Sequence, residues 1–306
     1  MEFLKERCVL PVNELTIGRS GPAAVTVGGQ TCFPFLFGEG AMPHAPTVAV
    51  EITDCKPTDW PEDLVKAAGG PITGDPVAWA GRALSDTGAK LLCVRLQSVH
   101  RDFLNRPVDE AVAILKKIAS SVKAPLVVLG SGDDDKDNEL MPKVSQALNG
   151  CNALLGSTTQ ANYKTLTATA LADGHSVIAE SPIDVNIAKQ LNILMTDMGF
   201  DPKKIVINPT AASLGYGMEY TYSIMERSRL AAFSGDKMLA MPFVLFVGSE
   251  TWRVKEARDG GGVQGVNWEL ATAVSMLKAG ADILVMRHPS AAKSAAAYIE
   301  QLMKRG

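Results

Sequence analysis

Two charged residues interrupt runs that otherwise read as buried strands: Glu51 in "VAVEITD" and Arg95 in "CVRLQS". An isolated charge is too costly to bury, so a carboxylate and a guanidinium at matched depths on adjacent strands either neutralise each other or read a ligand. A second chemical signal lies in "KKIVINPTAASLGYGMEYTYSIMER", residues 203–227. Its apolar run breaks at Asn208, Pro209 and Thr210 and leads into Gly215, Tyr216, Gly217 and Tyr220. Neutral amides and hydroxyls can hydrogen-bond the edge of a bound molecule without ligating a metal. The glycines let backbone approach closely, and the tyrosines offer flat contact area.

Other chemistries find no support in the spacing. Cys8, Cys32, Cys55, Cys93 and Cys151 are far apart, which suits reduced thiols rather than a disulfide framework or an iron–sulfur motif. His44, His100 and His288 share no ligand spacing, so no metal site is expected. "DGHSVI" at 173–178 begins like a cobalt-ligating Asp-x-His-x-x-Gly motif, but its sixth position is Ile178, and His175 is expected in a surface turn. "DDDKDNEL" at 133–140 lacks the glycine and glutamate of a calcium loop, and its acids suit a helix N-terminus. A formal net charge of -3 argues against nucleic acid or anionic lipid as partner. The start of the chain, "MEFLKERCVLPVNEL", carries acids and lacks an apolar leader core, and no apolar run reaches membrane-spanning length. The expected location is therefore cytoplasmic, without a membrane partner.

The elements that position these residues recur along the chain. Apolar runs at 47–53, 91–98, 125–132, 152–159, 176–182, 205–211, 243–250 and 282–289 read as eight strands. Helix-period stretches such as "PVDEAVAILKKIASSV", "DVNIAKQLNILMTDMG", "VNWELATAVSMLKAG" and "SAAAYIEQLMKR" lie between and after them. Pro107 or Asp109 can open one helix and Asp184 another, while Gly88, Gly150, Gly174, Gly199 and Gly280 stand where C-terminal caps are expected. Strands buried on both faces and alternating with helices imply a parallel sheet, and eight units predict a TIM (β/α)8 barrel over residues 47–306. An open doubly wound sheet is the alternative. Residues 1–46 stand outside the repeat as an N-terminal extension, and "ELTIGRSGPAAVTVGGQ" predicts a β-hairpin around Arg19 to Pro22, packed on the barrel bottom.

In such a barrel, chemistry belongs to the loops after the strand C-termini. Asn208 and Thr210 end the sixth strand, and Ser157, Thr158, Glu180, Ser249 and Glu250 occupy equivalent ends, where Ser, Thr and Asn also suit helix N-caps. The stretch from 248 to 265, "GSETWRVKEARDGGGVQG", is unusually long for a strand-to-helix connection and is expected to be functional or mobile.

"VINPTAASLGYGMEYTYSIMER", "GVNWELATAVSMLKAGADILVMRHP" and "VGSETWRVKEA" resemble the small subunit of the corrinoid iron-sulfur protein, which is related to the delta subunit of the archaeal acetyl-CoA decarbonylase/synthase complex. The resemblance covers almost the whole chain. It implies a barrel paired in a heterodimer with a large subunit that carries a [4Fe-4S] cluster and a cobalamin-binding domain. The heterodimer takes a methyl group from methyltetrahydrofolate, through a separate methyltransferase, and delivers it to acetyl-CoA synthase/CO dehydrogenase in the reductive acetyl-CoA (Wood-Ljungdahl) pathway. This chain would be a non-catalytic cap on the cobalamin at the subunit interface, binding no cluster itself. On that reading Asn208, Thr210, Gly215, Tyr216, Gly217 and Tyr220 face the corrin or the partner, with Ser157, Thr158, Glu180, Ser249 and Glu250 around them. The alternative is a pterin-binding methyltetrahydrofolate methyltransferase of similar fold, with Asp54, Gln97 and Asn208 gripping the pterin.

Overall fold

The computed structural model describes residues 7–304, so the reading of the first six residues as no leader lies outside the described residues. Two short strands, β1 (Leu15–Ile17) and β2 (Val25–Val27), pair antiparallel as the expected hairpin. Eight strands follow: β3 (Thr47–Thr53), β4 (Leu91–Arg95), β5 (Leu126–Leu129), β6 (Leu154–Thr158), β7 (Ser176–Glu180), β8 (Ile205–Asn208), β9 (Val244–Leu245) and β10 (Ile283–Met286). They pair in parallel in the order β8-β7-β6-β5-β4-β3-β10-β9. A parallel bridge from Ile207 to Phe243 joins the two ends and closes the barrel.

Alternation along the strands fills both sides of the closed sheet. Val50, Ile52, Leu92 and Val94 face outward and pack on the surrounding helices. Ala49, Cys93, Val127, Leu154, Ile178, Val206 and Val285 face inward and fill the interior with Leu15, Ile17, Val25 and Val27 of the hairpin. Both strand faces are thus apolar, as parallel sheets require. The hairpin is fastened at the bottom, where Gly18 N donates to Asn152 O at 2.8 Å and Asn152 Nδ2 donates to Thr16 O at 2.7 Å. Gly18 has φ of 97° and its Cα lies so close to the Pro125 ring that a side chain there would collide with it.

The same floor holds a buried polar knot. Asp282 accepts from Gln30 Nε2 on one oxygen and from Arg229 Nη2 (2.6 Å) and Phe243 N (2.7 Å) on the other. Arg229 also donates to the carbonyls of Met241 and Gly280 at 3.0 and 3.1 Å. Extension, last strands and helix Met218–Phe233 are thereby joined at the closed end.

Helix boundaries follow local chemistry. Asp184 caps helix Val185–Asp197 by accepting from Asn186 N and Ile187 N, and Asp133 caps Asp134–Ala147 through Lys136 N. Gly88, Gly174 and Gly280 are left-handed C-caps. Of the two residues expected to open one helix, Pro107 is the one that precedes helix Val108–Ser121. Two expectations need correction. The long 248–265 stretch folds largely into short helices, Val247–Thr251 and Lys255–Asp259, before helix Gly262–Ala279 begins. His175 is fully buried, not a surface turn residue: Nδ1 accepts from Ala153 N at 3.1 Å and Nε2 meets Ser145 O at 3.0 Å. A neutral imidazole has one donor and one acceptor, so both can be satisfied in the core, and burial lowers its pKa.

Candidate binding site at the barrel mouth

Glu51 and Arg95 point inward near the top of β3 and β4, and the structure brings a third charge to them. Glu51 Oε1 accepts from Arg95 Nε at 3.2 Å and from Arg287 Nη2 and Nε at 2.8 and 3.3 Å. Arg287 follows β10, which neighbours β3, so barrel closure places one guanidinium on each side of the carboxylate. Burial alone would push the Glu51 carboxyl up, but the two guanidiniums outweigh it and hold the pKa at about 2. The guanidinium of Arg287 lies over the Trp60 ring (4.8 Å) and that of Arg95 over Phe246 (5.8 Å). Glu51 Oε2 is buried and accepts no hydrogen bond among the described residues.

The loop after β8 is braced from within. Asn208, 2% exposed, donates through Nδ2 to Glu180 Oε2 at 3.1 Å and accepts on Oδ1 from Thr210 N at 3.1 Å. Thr210 sits at φ 64°, an unfavourable region for a β-branched residue. It is held there by its hydroxyl, which donates to Ser181 O at 2.8 Å, and by its carbonyl, which accepts from Thr221 Oγ1 at 3.0 Å. Asn208 and Thr210 thus spend their polar groups shaping the turn. Gly215 and Gly217, at φ 81° and 93°, carry the chain into helix Met218–Phe233. They leave Tyr216 and Tyr220 outermost, 52% and 63% exposed.

Tyr216 reaches across to the next loop, its hydroxyl donating to Glu256 Oε2 at 2.8 Å. Between these loops opens a cleft of about 400 Å³ lined by Ala211, Ser213, Tyr216, Glu250, Arg253 and Lys255 among others. Glu250 lies on helix Val247–Thr251 rather than at a strand end, because β9 stops at Leu245; Ser249 shares that helix and is turned inward, donating to Phe246 O at 3.0 Å. Desolvation raises the Glu250 pKa, while Arg253 (2.9 Å), Arg287 and Arg95 oppose the rise. On the far side, Ser157 O accepts from Asn162 Nδ2 at 3.2 Å and Thr158 is fully buried.

Two residues missed in the sequence organise this end. Glu269, fully buried in helix Gly262–Ala279, accepts from Arg287 N (2.6 Å), His288 N (3.1 Å) and Trp252 Nε1 (2.8 Å). Burial pushes its carboxyl up to about 7 despite these donors. Trp252 in turn stacks on His288 with ring centroids 6.0 Å apart, anchoring the long connection to the top of β10. Glu269 interrupts "VNWELATAVSMLKAG" as its one acid, which was the available signal. Arg287 ends its strand run much as Arg95 does, and that parallel was the signal that could have found it.

An eight-stranded parallel barrel with a polar mouth and a plugged floor defines the class: a TIM barrel of the kind that binds at its C-terminal face. Residues 14–296 match the family described as CO dehydrogenase/acetyl-CoA synthase delta subunit, and the chain belongs to that family. It is 33% identical over 280 residues to the acetyl-CoA decarbonylase/synthase complex subunit delta of Methanopyrus kandleri, covering 89% of this chain and 69% of that protein. The subunit delta of Archaeoglobus fulgidus is 30% identical over 287 residues, covering 87% and 62%. The chain therefore spans only about two thirds of the length of these relatives. Among solved structures, dihydropteroate synthase of Xanthomonas albilineans with 4-aminobenzoic acid superposes with a TM-score of 0.60 at 17% identity, covering 89% of this chain and 98% of that one. That of Yersinia pestis with a sulfonamide gives 0.60 at 16%, covering 86% and 95%. This second likeness is one of fold alone. Among the described residues, no helix is long and apolar enough to cross a membrane.

Proposed function

We propose that this chain is the small barrel subunit of a heterodimeric corrinoid iron-sulfur protein, which carries a methyl group on cobalamin from methyltetrahydrofolate, via a methyltransferase, to acetyl-CoA synthase. The observation that carries the reading is the family match over residues 14–296, which takes in the hairpin plug, the barrel and the whole mouth. The large partner would hold the [4Fe-4S] cluster and the cobalamin-binding domain. Cobalamin, when bound there, supplies the cobalt that accepts and gives up the methyl group.

The donor set at the mouth fits a molecule whose edge is studded with amides. Tyr216 and Tyr220 give exposed flat area, Gly215 and Gly217 keep the loop backbone uncovered, and Glu180 and Glu250 offer acceptors beside the Arg95 donor. Asn208 and Thr210 serve the corrin through the turn they shape; Ser157 stands beside it, while Thr158 and Ser249 are buried beneath and support the mouth rather than face the ligand. The work of these residues is to cover the cofactor and exclude water between transfers. The pterin-binding alternative is not favoured by the family match, and its proposed grip is already engaged. Asp54 accepts from Ser98 N (3.0 Å) and the Ser98 hydroxyl, and Gln97 donates to Asp59 at 3.2 Å.

The test is affinity capture from a native extract with this chain as bait, read by absorption spectroscopy. A stoichiometric larger subunit with corrinoid and iron–sulfur bands is expected. A chain recovered alone, or with a partner free of cobalt, would refute the reading.

A further inference from the structure

The connection that follows β9 is tied to the rest of the barrel by hydrogen bonds at only two points among the described residues, Trp252 and Glu256. The first is buried. Trp252, 3% exposed, donates through Nε1 to Glu269 Oε2 at 2.8 Å and stacks on His288. Its ring lies against Gly265, where a side chain would collide with it, so the tryptophan fills a slot that only glycine leaves open. The second point is exposed: Glu256 Oε2 accepts from the Tyr216 hydroxyl at 2.8 Å.

These attachments bracket a segment with little else to hold it. Beyond Trp252, residues 253–259 carry two apolar side chains, Val254 and Ala257, and both are small, so little apolar contact opposes a displacement. Helix Lys255–Asp259 has no side-chain cap at its start. At its far end come Gly260, Gly261 and Gly262, with Gly261 at φ 83°, and such backbone bends at little cost. Beside Trp252, the Thr251 hydroxyl is buried without a partner among the described residues, so the join is not fully satisfied where it sits. The segment also forms one wall of the cleft of about 400 Å³ at the rim. Arg253, Lys255 and Arg258 line it from this side, and Ala211, Ser213 and Tyr216 from the loop after β8.

We propose that residues 253–259 are a strap that opens and closes this cleft, pinned at one end by Trp252, hinged at the other on Gly260–Gly262, and fastened in the middle by the Tyr216–Glu256 bond as a releasable catch. The catch is the weak member because its bond is exposed to water, whereas the pin is held by a buried carboxylate, by stacking and by shape. Release widens the cleft and frees Tyr216 in one step. Anything that engages the Tyr216 hydroxyl from outside therefore favours the open strap. The device belongs to this chain alone and does not rest on the function proposed above.

Limited trypsin digestion of the folded full chain tests it, since Arg253, Lys255 and Arg258 put cleavage sites on the strap itself. Cleavage at 253–258 is followed by mass spectrometry and normalised to the same sites in the unfolded chain. Cleavage after Lys116 and Lys117, in helix Val108–Ser121, and a melting curve report on the barrel. Tyr216→Phe and Glu256→Ala are each expected to speed strap cleavage about threefold to tenfold, with the helix sites and the melt unchanged. The double variant should be no faster than the faster single, because both remove one bond. Gly262→Ala has the opposite sign: a side chain there meets nothing within 4 Å, and stiffening the hinge should slow strap cleavage about twofold to fivefold. Tyr216→Phe and Gly262→Ala that both stay within about twofold of wild type would show a fixed strap and overturn the proposal. Strap cleavage that rises only together with the helix sites and a lowered melt would overturn it too, as loosening of the whole barrel.

Discussion

The barrel has a buried arginine–carboxylate cluster at each end, and the two are built to different standards. At the floor, Asp282 uses both oxygens on three donors, and Arg229 spreads its terminal nitrogens over Asp282 and two backbone carbonyls. At the mouth, among the described residues, Glu51 takes every donor on one oxygen and leaves the other buried and bare, while the terminal nitrogens of Arg95 donate to no acceptor. Removal of water from a charge is recovered only when its hydrogen-bonding capacity is filled. At the floor the charged groups Asp282 and Arg229 meet that condition from within the chain, although Oε1 of the adjoining Gln30 is buried without a partner among the described residues, so the floor serves stability. The mouth does not meet it, and its remaining capacity is available to something from outside.

The sharpest way to break this comparison is at the floor. Arg229→Met strands the Asp282 carboxylate and removes two carbonyl partners, and loss of one member of a buried pair costs about 3–5 kcal/mol. A urea titration should show the midpoint collapsing, whereas a shift comparable to that of a surface mutant would mean the floor cluster is not a stability node. At the mouth, Glu51→Gln should cost less, about 3 kcal/mol, the size implied by a carboxyl held at about 2 rather than 4.5. Because this pKa is depressed, the stabilisation is present above about 4.5 and is lost as pH falls toward 2. The variant should therefore lack that part of the acid limb.

Glu269 has the opposite sign. Its pKa is raised from 4.5 to about 7, so the folded state holds a proton that the unfolded state has released, and its contribution is full below 4.5 and lost as pH rises through 7. Glu269→Gln should flatten the decline in stability between pH 4.5 and 7. It would also set an amide N–H against donors from Arg287, His288 or Trp252, costing about 1–2 kcal/mol. Melting curves across that range check both effects, and an unchanged slope would mean that Glu269 is ionised throughout.

The two ends also differ in how far they can be read without coordinates. Barrel strands announce themselves, because burial on both faces leaves an apolar run whatever the tertiary details, and all eight runs became strands. The Glu51–Arg95 pairing was legible for the same reason: a charge in such a run needs a partner at equal depth. Arg287 joins them only through closure between β10 and β3, a contact across 236 positions in the chain. Glu269 was missed and His175 was misplaced in a surface turn, because a polar residue looks exposed until the tertiary partners that satisfy it are known. Ser249 and Glu250 changed element, since β9 is cut to two residues and the chain turns helical early; Glu250 lines the cleft beside Tyr216, whereas Ser249 is buried. Asn208 and Thr210 were legible as a chemical break in the strand. That their groups are turned into the loop depends on Thr210 adopting a positive φ, which sequence does not reveal.

The smallest expected effect on stability, at the outer rim, sharpens the comparison most. Tyr216→Phe removes only an exposed hydrogen bond to Glu256, and Tyr220→Ala trims a ring that is 63% in solvent, so neither should move the melting temperature measurably. Association is another matter. Exposed tyrosines flanked by backbone of positive φ are a pre-positioned contact surface, with few rotamers to immobilise on binding. If the proposed function holds, Tyr220→Ala should weaken the complex with the proposed large subunit about tenfold, and Tyr216→Phe by less, since the ring remains and only its tether to the 255–259 helix is lost. Titration of labelled chain into purified partner measures both. A Tyr220→Ala chain that binds as tightly as wild type would place the contact surface elsewhere on the barrel, and a lowered melt would show that the rim shares the structural duty assigned here to the floor.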